Sequence, residues 1–156
     1  MIKNEKNSHF MLEAIAEARK AAEIGEVPVG AVITRDGEII ARAHNMVESY
    51  ASSSAHAEML AMDTAEAVLG SKWLTGCSLY VTLEPCSMCA GAMVLARIEE
   101  LFIGTMDPKN GACGSVLDVA HNEKLNHSVH VETGIEAQEC ADLLTGFFRD
   151  LRTNRK

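Results

Sequence analysis

The chain has 156 residues, 47% of them hydrophobic, with 14 basic against 22 acidic side chains and a formal charge of −8. That length suits one domain with a substantial core, 1–156, and leaves little for a second; the charge excludes indiscriminate attraction to phosphate backbones. The opening MIKNEKNSHF has no apolar leader core, no run approaches the roughly 20 apolar residues of a membrane span, and five cysteines are an odd number for a paired disulfide framework, so an unexported, membrane-free, cytoplasmic protein is expected.

In chain order, Met11, Leu12, Ile15 and Ala22 recur near helical spacing, predicting a helix over 10–24 stopped by Gly25. VPVGAVIT at 27–34 and EIIARAH at 38–44 flank Arg35-Asp36-Gly37, the pattern of two antiparallel strands joined by a short glycine turn. The serines at 52–54 start a helix over 56–69, which Gly70 closes. SLYVTLE at 78–84 reads as a strand, 86–96 as a helix of small residues and LFIG at 101–104 as a buried strand, a unit that yields a parallel pair with a right-handed crossover. A loop over 105–127 leads to a strand in SVHVET and a last helix over 135–151. In that helix Cys140, Leu143, Leu144, Phe147 and Leu151 keep helical spacing, which predicts a core-facing side. The elements assemble into an α/β fold, a three-layer α/β/α sandwich on a mixed five-stranded sheet.

The chemistry concentrates in TLEPCSMCAGA at 82–92. Cys86 and Cys89 stand three residues apart on the first turn of a helix, close enough to bind one ion, and the helix start favours their thiolate forms. The same spacing serves a redox Cys-x-x-Cys pair or two unreactive buried cysteines. His56 opens another helix, so its imidazole and the two thiolates are able to converge above the sheet edge. Three N and S ligands suit zinc, Zn2+, and leave a fourth position for water unless Cys77 or Cys113 closes it. Glu58, two residues after His56, points elsewhere around the helix and is placed to move the water's proton; alone, it would read as a solvated glutamate at a helix start. Pro85 sets the chain just before the cysteine helix.

His56-Ala57-Glu58 followed by Pro85-Cys86-Ser87-Met88-Cys89 matches the signature of the zinc-dependent base deaminases. With GEVPVGAV at 25–32, HN at 44–45, AHAE at 55–58, LYVTLEPCSMCAGAM at 79–93, DPKNGACGS at 107–115, LNH at 125–127 and FFRDLR at 147–152, the chain resembles the TadA family of bacterial tRNA adenosine deaminases. The resemblance implies a cytidine deaminase-like fold, and a homodimer with one zinc per subunit that converts the wobble adenosine of a tRNA anticodon loop to inosine. By matching motif, His56, Cys86 and Cys89 hold the metal and Glu58 shuttles protons. Asn45 binds the flipped nucleoside, Val29 packs on the purine, and Ala57, Leu83 and Glu84 line the base pocket. Asp107, Lys109 and Asn126 fall on a substrate-facing loop. A deaminase of a free base or nucleoside with the same zinc chemistry is the nearest rival, and a structural zinc or redox module the rival outside enzymology.

Charge is unevenly placed. Residues 149–156 carry +3 and the preceding 148 carry −11. Arg149, Arg152 and Arg155 share a helical face that is able to grip phosphates, although cations near a helix end are also expected from its dipole. A local basic stripe of this kind implies weak binding with a shallow salt dependence.

Overall fold

The computed structural model describes residues 2–154, so Arg155 lies outside the described residues. Helix α1 (Lys3–Glu23) leads into β1 (Gly30–Arg35) and β2 (Glu38–His44), followed by a single turn α2 (Val47–Tyr50) and α3 (Ala57–Leu69). Then come β3 (Cys77–Leu83), α4 (Ser87–Ala96), β4 (Glu100–Thr105), β5 (His130–Glu132) and α5 (Ala137–Asn154). The sheet order is β2-β1-β3-β4-β5; β1 pairs antiparallel with β2 and β3, while β3, β4 and β5 run parallel. The expected mixed five-stranded sheet with helices on both faces is what the chain builds.

Strand alternation sorts the core into two layers. Ala31, Ile33, Leu79, Val81, Leu101 and Ile103 face α3 and α4, packing on Ala57, Ala61, Ala65, Ala90 and Met93. Val32, Tyr80 and Phe102 face α1 and α5, packing on Phe10, Met11, Ala14, Ile15 and Cys140. Tyr80 stacks on Phe102 with ring centroids 4.5 Å apart, and its hydroxyl donates to Asn7 Oδ1 at 2.8 Å. The layer of small residues lets α3 and α4 lie close on the sheet, where their first turns meet.

Local departures from the sequence reading have physical causes. Helix α1 begins seven residues earlier than the apolar periodicity starts, because its first two turns are polar, with Asn7 buried under Tyr80 and Ser8 half-buried against Glu136. Strand β1 starts at Gly30 instead of 27, since Val29 donates back to the Val27 carbonyl at 2.8 Å and Val27–Val29 forms a turn facing the cavity described below. The hairpin is a two-residue turn at Asp36 and Gly37, both at positive φ (52° and 78°), the backbone that matches strand twist. The serines at 52–54 do not cap α3; its N-cap is His56. The core-facing side expected of the last helix holds only in its first half. Cys140 is buried and Leu143 packs on the core, but Leu144 and Phe147 are half-buried and Leu151 is 38% exposed.

Candidate active site

Two helix starts face each other. His56 caps α3 and Cys86 caps α4, both with extended backbone and neither spending its side chain on a capping hydrogen bond. Both side chains are therefore left to point at one another. His56 Nδ1 stands 3.6 Å from Cys86 Sγ and 3.5 Å from Cys89 Sγ, and the three ligand atoms lie within 4.8 Å of one another. Among the described residues this is the cluster of His, Cys, Asp and Glu able to hold a metal ion. Cys77, at the opposite end of β3, and Cys113 are not part of it.

The electrostatics of the trio favour a cation. Hydrogen bonds from Cys89 and His56 hold the Cys86 thiol far below its ordinary value, and the bond to Cys86 in turn pushes Cys89 up. His56 is raised by its hydrogen bond to Cys86. One imidazole and two sulfurs at this spacing form a set that a divalent ion would bind by displacing the remaining protons. Cys113 remains a buried thiol pushed up to about 12 by burial.

Glu58 sits in the first turn of α3, 4% exposed, and shares a cavity with His56 and Cys86. Burial pushes its carboxyl up to about 7. The cavity measures about 730 Å³. Of the residues expected at a substrate site, Val29, Asn45, Ala57, Leu83, Glu84 and Asp107 line it. Asn45 ends β2 in an Asx turn, its Oδ1 accepting from the Val47 amide at 3.3 Å and its Nδ2 donating to the Val27 carbonyl at 3.4 Å. One amide N–H of Asn45 remains for a ligand.

Two expected residues do not line the cavity. Lys109 is exposed in a turn where its amide donates to Asp107 Oδ1 at 3.0 Å, and the neighbouring Asn110 lines the cavity. Asn126 is exposed, its carbonyl accepting from Arg97 at 3.3 Å. Arg149 and Arg152 are exposed on α5, the helix that places Phe147 and Leu151 against the cavity.

Sequence reasoning missed Glu26, Phe147 and Leu151 as cavity residues. Glu26 is fully buried, accepting from the amides of Glu48 and Ser49 at 3.0 and 2.6 Å and from the Ser49 hydroxyl at 2.6 Å, so it anchors the start of α2. Its one signal is an acid inside the otherwise apolar GEVPVGAV stretch.

Residues 4–152 match the model of the MafB19-like deaminase family. The tRNA-specific adenosine deaminase of Bacillus subtilis (strain 168) is 52% identical over 94% of this chain and 91% of its own length. The chain belongs to the tRNA-specific adenosine deaminase family. The family member from Aquifex aeolicus (strain VF5) is 48% identical over 94% of this chain and 96% of its own. A structure from a study of A-to-I editing by tRNA:A34 deaminases at the wobble position of transfer RNA superposes with a TM-score of 0.84 at 43% identity, covering 87% of this chain and 99% of that one. The adenosine deaminase family shares this mixed five-stranded, cytidine deaminase-like fold, and the chain is an enzyme of the hydrolytic deaminase type.

Proposed function

We propose that the chain hydrolyses adenosine to inosine at the wobble position of a tRNA anticodon, with one zinc ion held by His56, Cys86 and Cys89. The observation that carries this reading is a buried carboxyl, Glu58, in one cavity with a His-Cys-Cys donor group, on a chain 52% identical to a tRNA-specific adenosine deaminase. The donor spacing supports zinc. Tetrahedral coordination with Zn–S of about 2.3 Å and Zn–N of about 2.1 Å separates N from S by about 3.6 Å, and the observed separations are 3.6 and 3.5 Å. Cys113 and Cys77 lie outside the cluster, so His56, Cys86 and Cys89 are the residues that would hold the ion.

Zinc bound there supplies Lewis acidity toward water. Glu58 takes a proton from the attacking water as its oxygen bonds to C6 of adenine and passes it to N1, which receives the electron pair of the C6–N1 double bond. Glu58 then moves the remaining hydroxyl proton to the amine; the C6–N6 bond breaks as C6=O forms, and ammonia leaves. Asn45 holds the nucleoside through its remaining N–H, while Val29, Ala57 and Leu83 enclose the base and Asp107 and Asn110 form the adjoining wall. Presenting an unpaired base from an anticodon loop costs little, because it is already out of a duplex.

Outside the cavity, Arg149 and Arg152 contact RNA phosphates and Lys109, beside Asp107, extends that surface; Asn126 sits by Arg97, the C-cap of α4, at the end of that helix away from the cavity. A homodimer is part of the proposal. Helix α4 is apolar around most of its circumference: Cys89, Ala90, Met93 and Ala96 are buried, Met88 and Ala92 are half-buried at the core's edge, and Leu95 is 80% exposed. Such a helix calls for a second covering surface. Work on tRNA places the protein in the cytoplasm, consistent with the lack, among the described residues, of a helix long and apolar enough to cross a membrane.

The test is a substrate comparison. An anticodon stem-loop with adenosine at the wobble position and free adenosine, adenine, guanine and cytosine are each incubated with the enzyme, and products are read by mass spectrometry. Inosine from the stem-loop is expected; turnover confined to a free base or nucleoside would replace this substrate with the rival one.

A further inference from the structure

Glu84 reaches the cavity, yet its carboxylate has nothing left to offer a ligand. Its Oε1 accepts from the Asp107 amide at 2.9 Å and from the Ser115 hydroxyl, and its Oε2 accepts from the amides of Cys113 and Ser115, both at 3.0 Å. All four donors come from one loop, and the side chain is 2% exposed. Among the described residues no cation pairs with it. Burial pushes its carboxyl up, but the bonds from Ser115, Asp107 and Cys113 outweigh burial and hold it below the ordinary carboxylate value.

The loop is shaped around this group. A Cβ on Gly111 would stand 2.2 Å from Glu84 Cδ and Oε1 and 2.5 Å from Oε2. Glycine is required there for space. The next amide, Ala112 N–H, donates to the Pro85 carbonyl at 2.9 Å, joining the loop to the residue that precedes the Cys86 cap. Asp107 and Asn110, at the near end of the loop, line the cavity.

We infer that Glu84 is a positioning residue: its carboxylate, seated in the space Gly111 leaves, holds residues 107–115 against the start of α4 and so fixes one wall of the cavity, instead of hydrogen-bonding the substrate base. The consequence for turnover rests on the proposed reaction; the consequence for the loop does not.

Hydrogen exchange by mass spectrometry on the full chain separates the two. In Glu84→Gln an amide NH2 must face donors that now meet oxygen, and in Gly111→Ala the carboxylate is displaced while its chemistry is kept. Both variants are expected to speed exchange of the 107–115 amides by about tenfold or more, with β1 and β3 unchanged, and Ser115→Ala, which loses one of four bonds, to do so by about threefold. On the stem-loop, Gly111→Ala is expected to reproduce the fall in kcat/KM of Glu84→Gln, about tenfold, at unchanged zinc content. Unchanged loop exchange in both Gly111→Ala and Ser115→Ala overturns the inference, whether or not Glu84→Gln folds. A Glu84→Gln enzyme that alters which base is accepted while its loop exchanges normally also overturns it, in favour of direct base contact. Faster loop exchange in an enzyme that deaminates no stem-loop would support the inference and refute the proposed substrate.

Discussion

Two walls of the cavity are made on different terms. The donor wall is the pair of first turns of α3 and α4, where Ala57, Glu58 and Cys89 are buried and His56 and Cys86 are half-buried against one another. Another wall is the outer half of α5, where Phe147 is half-buried, Leu151 is 38% exposed, and Arg149 and Arg152 stand in solvent. On the proposed function, chemistry falls where backbone and packing determine each atom's position, and recognition falls where side chains still meet water and are able to meet a large, charged partner. The comparison predicts that variants of the first wall change rate and metal, and variants of the second change affinity and its salt dependence.

The largest effect is expected at the donors. His56→Ala or Cys89→Ala should take bound zinc from about one per chain to none and deamination to background, read by metal analysis and inosine formation. Glu58→Gln should keep the zinc and lower kcat by about 10² to 10⁴, the range for losing a positioned proton shuttle. Across the cavity, Arg149→Glu with Arg152→Glu should raise KM for the stem-loop several-fold and flatten its dependence on log salt by about one unit per lost phosphate contact, with kcat and zinc unchanged. If that double variant lost kcat as Glu58→Gln does, the division between the walls would be broken.

Smaller effects fall on the frame. Glu26 is pushed up by burial, but bonds from Ser49 and the Glu48 amide outweigh that and hold it below its ordinary 4.5. A depressed carboxyl contributes stability above the unfolded value that disappears as pH falls through the folded one, so denaturant titrations should show stability declining from about pH 4.5 downward, with a shallower decline in Glu26→Gln. On the far face of the sheet, Tyr80→Phe leaves Asn7 Oδ1 without its donor and should cost about 1–3 kcal/mol, with kcat and KM unchanged.

The donor wall was legible in the sequence because its two halves are short motifs: His56 with Glu58, and Pro85-Cys86 with Cys89 one helical turn on. Those halves lie 30 and 33 residues apart, and it was their match to a known signature, not periodicity, that joined them. The sheet was legible from a local signal, since alternation in β1, β3 and β4 sorts their residues onto two faces. What escaped depends on partners far along the chain. Glu26 and Glu84 take their roles from amides 22 to 31 residues away, which no periodicity encodes. Four residues of α2 are too few to show a helical period. Helix α5 misled in the other direction, because an apolar stripe says that a face is covered and does not say by what: Cys140 meets the core, while Phe147 and Leu151 meet a cavity.

The zinc absorption edge of the protein purified without chelators tests the central claim most directly, because its fine structure counts ligands. A proton-transfer site open to water predicts two sulfurs at about 2.3 Å and two lighter atoms near 2.0 Å, one from His56 and one from solvent. A third sulfur in the shell, or a folded protein that carries no zinc, would contradict it.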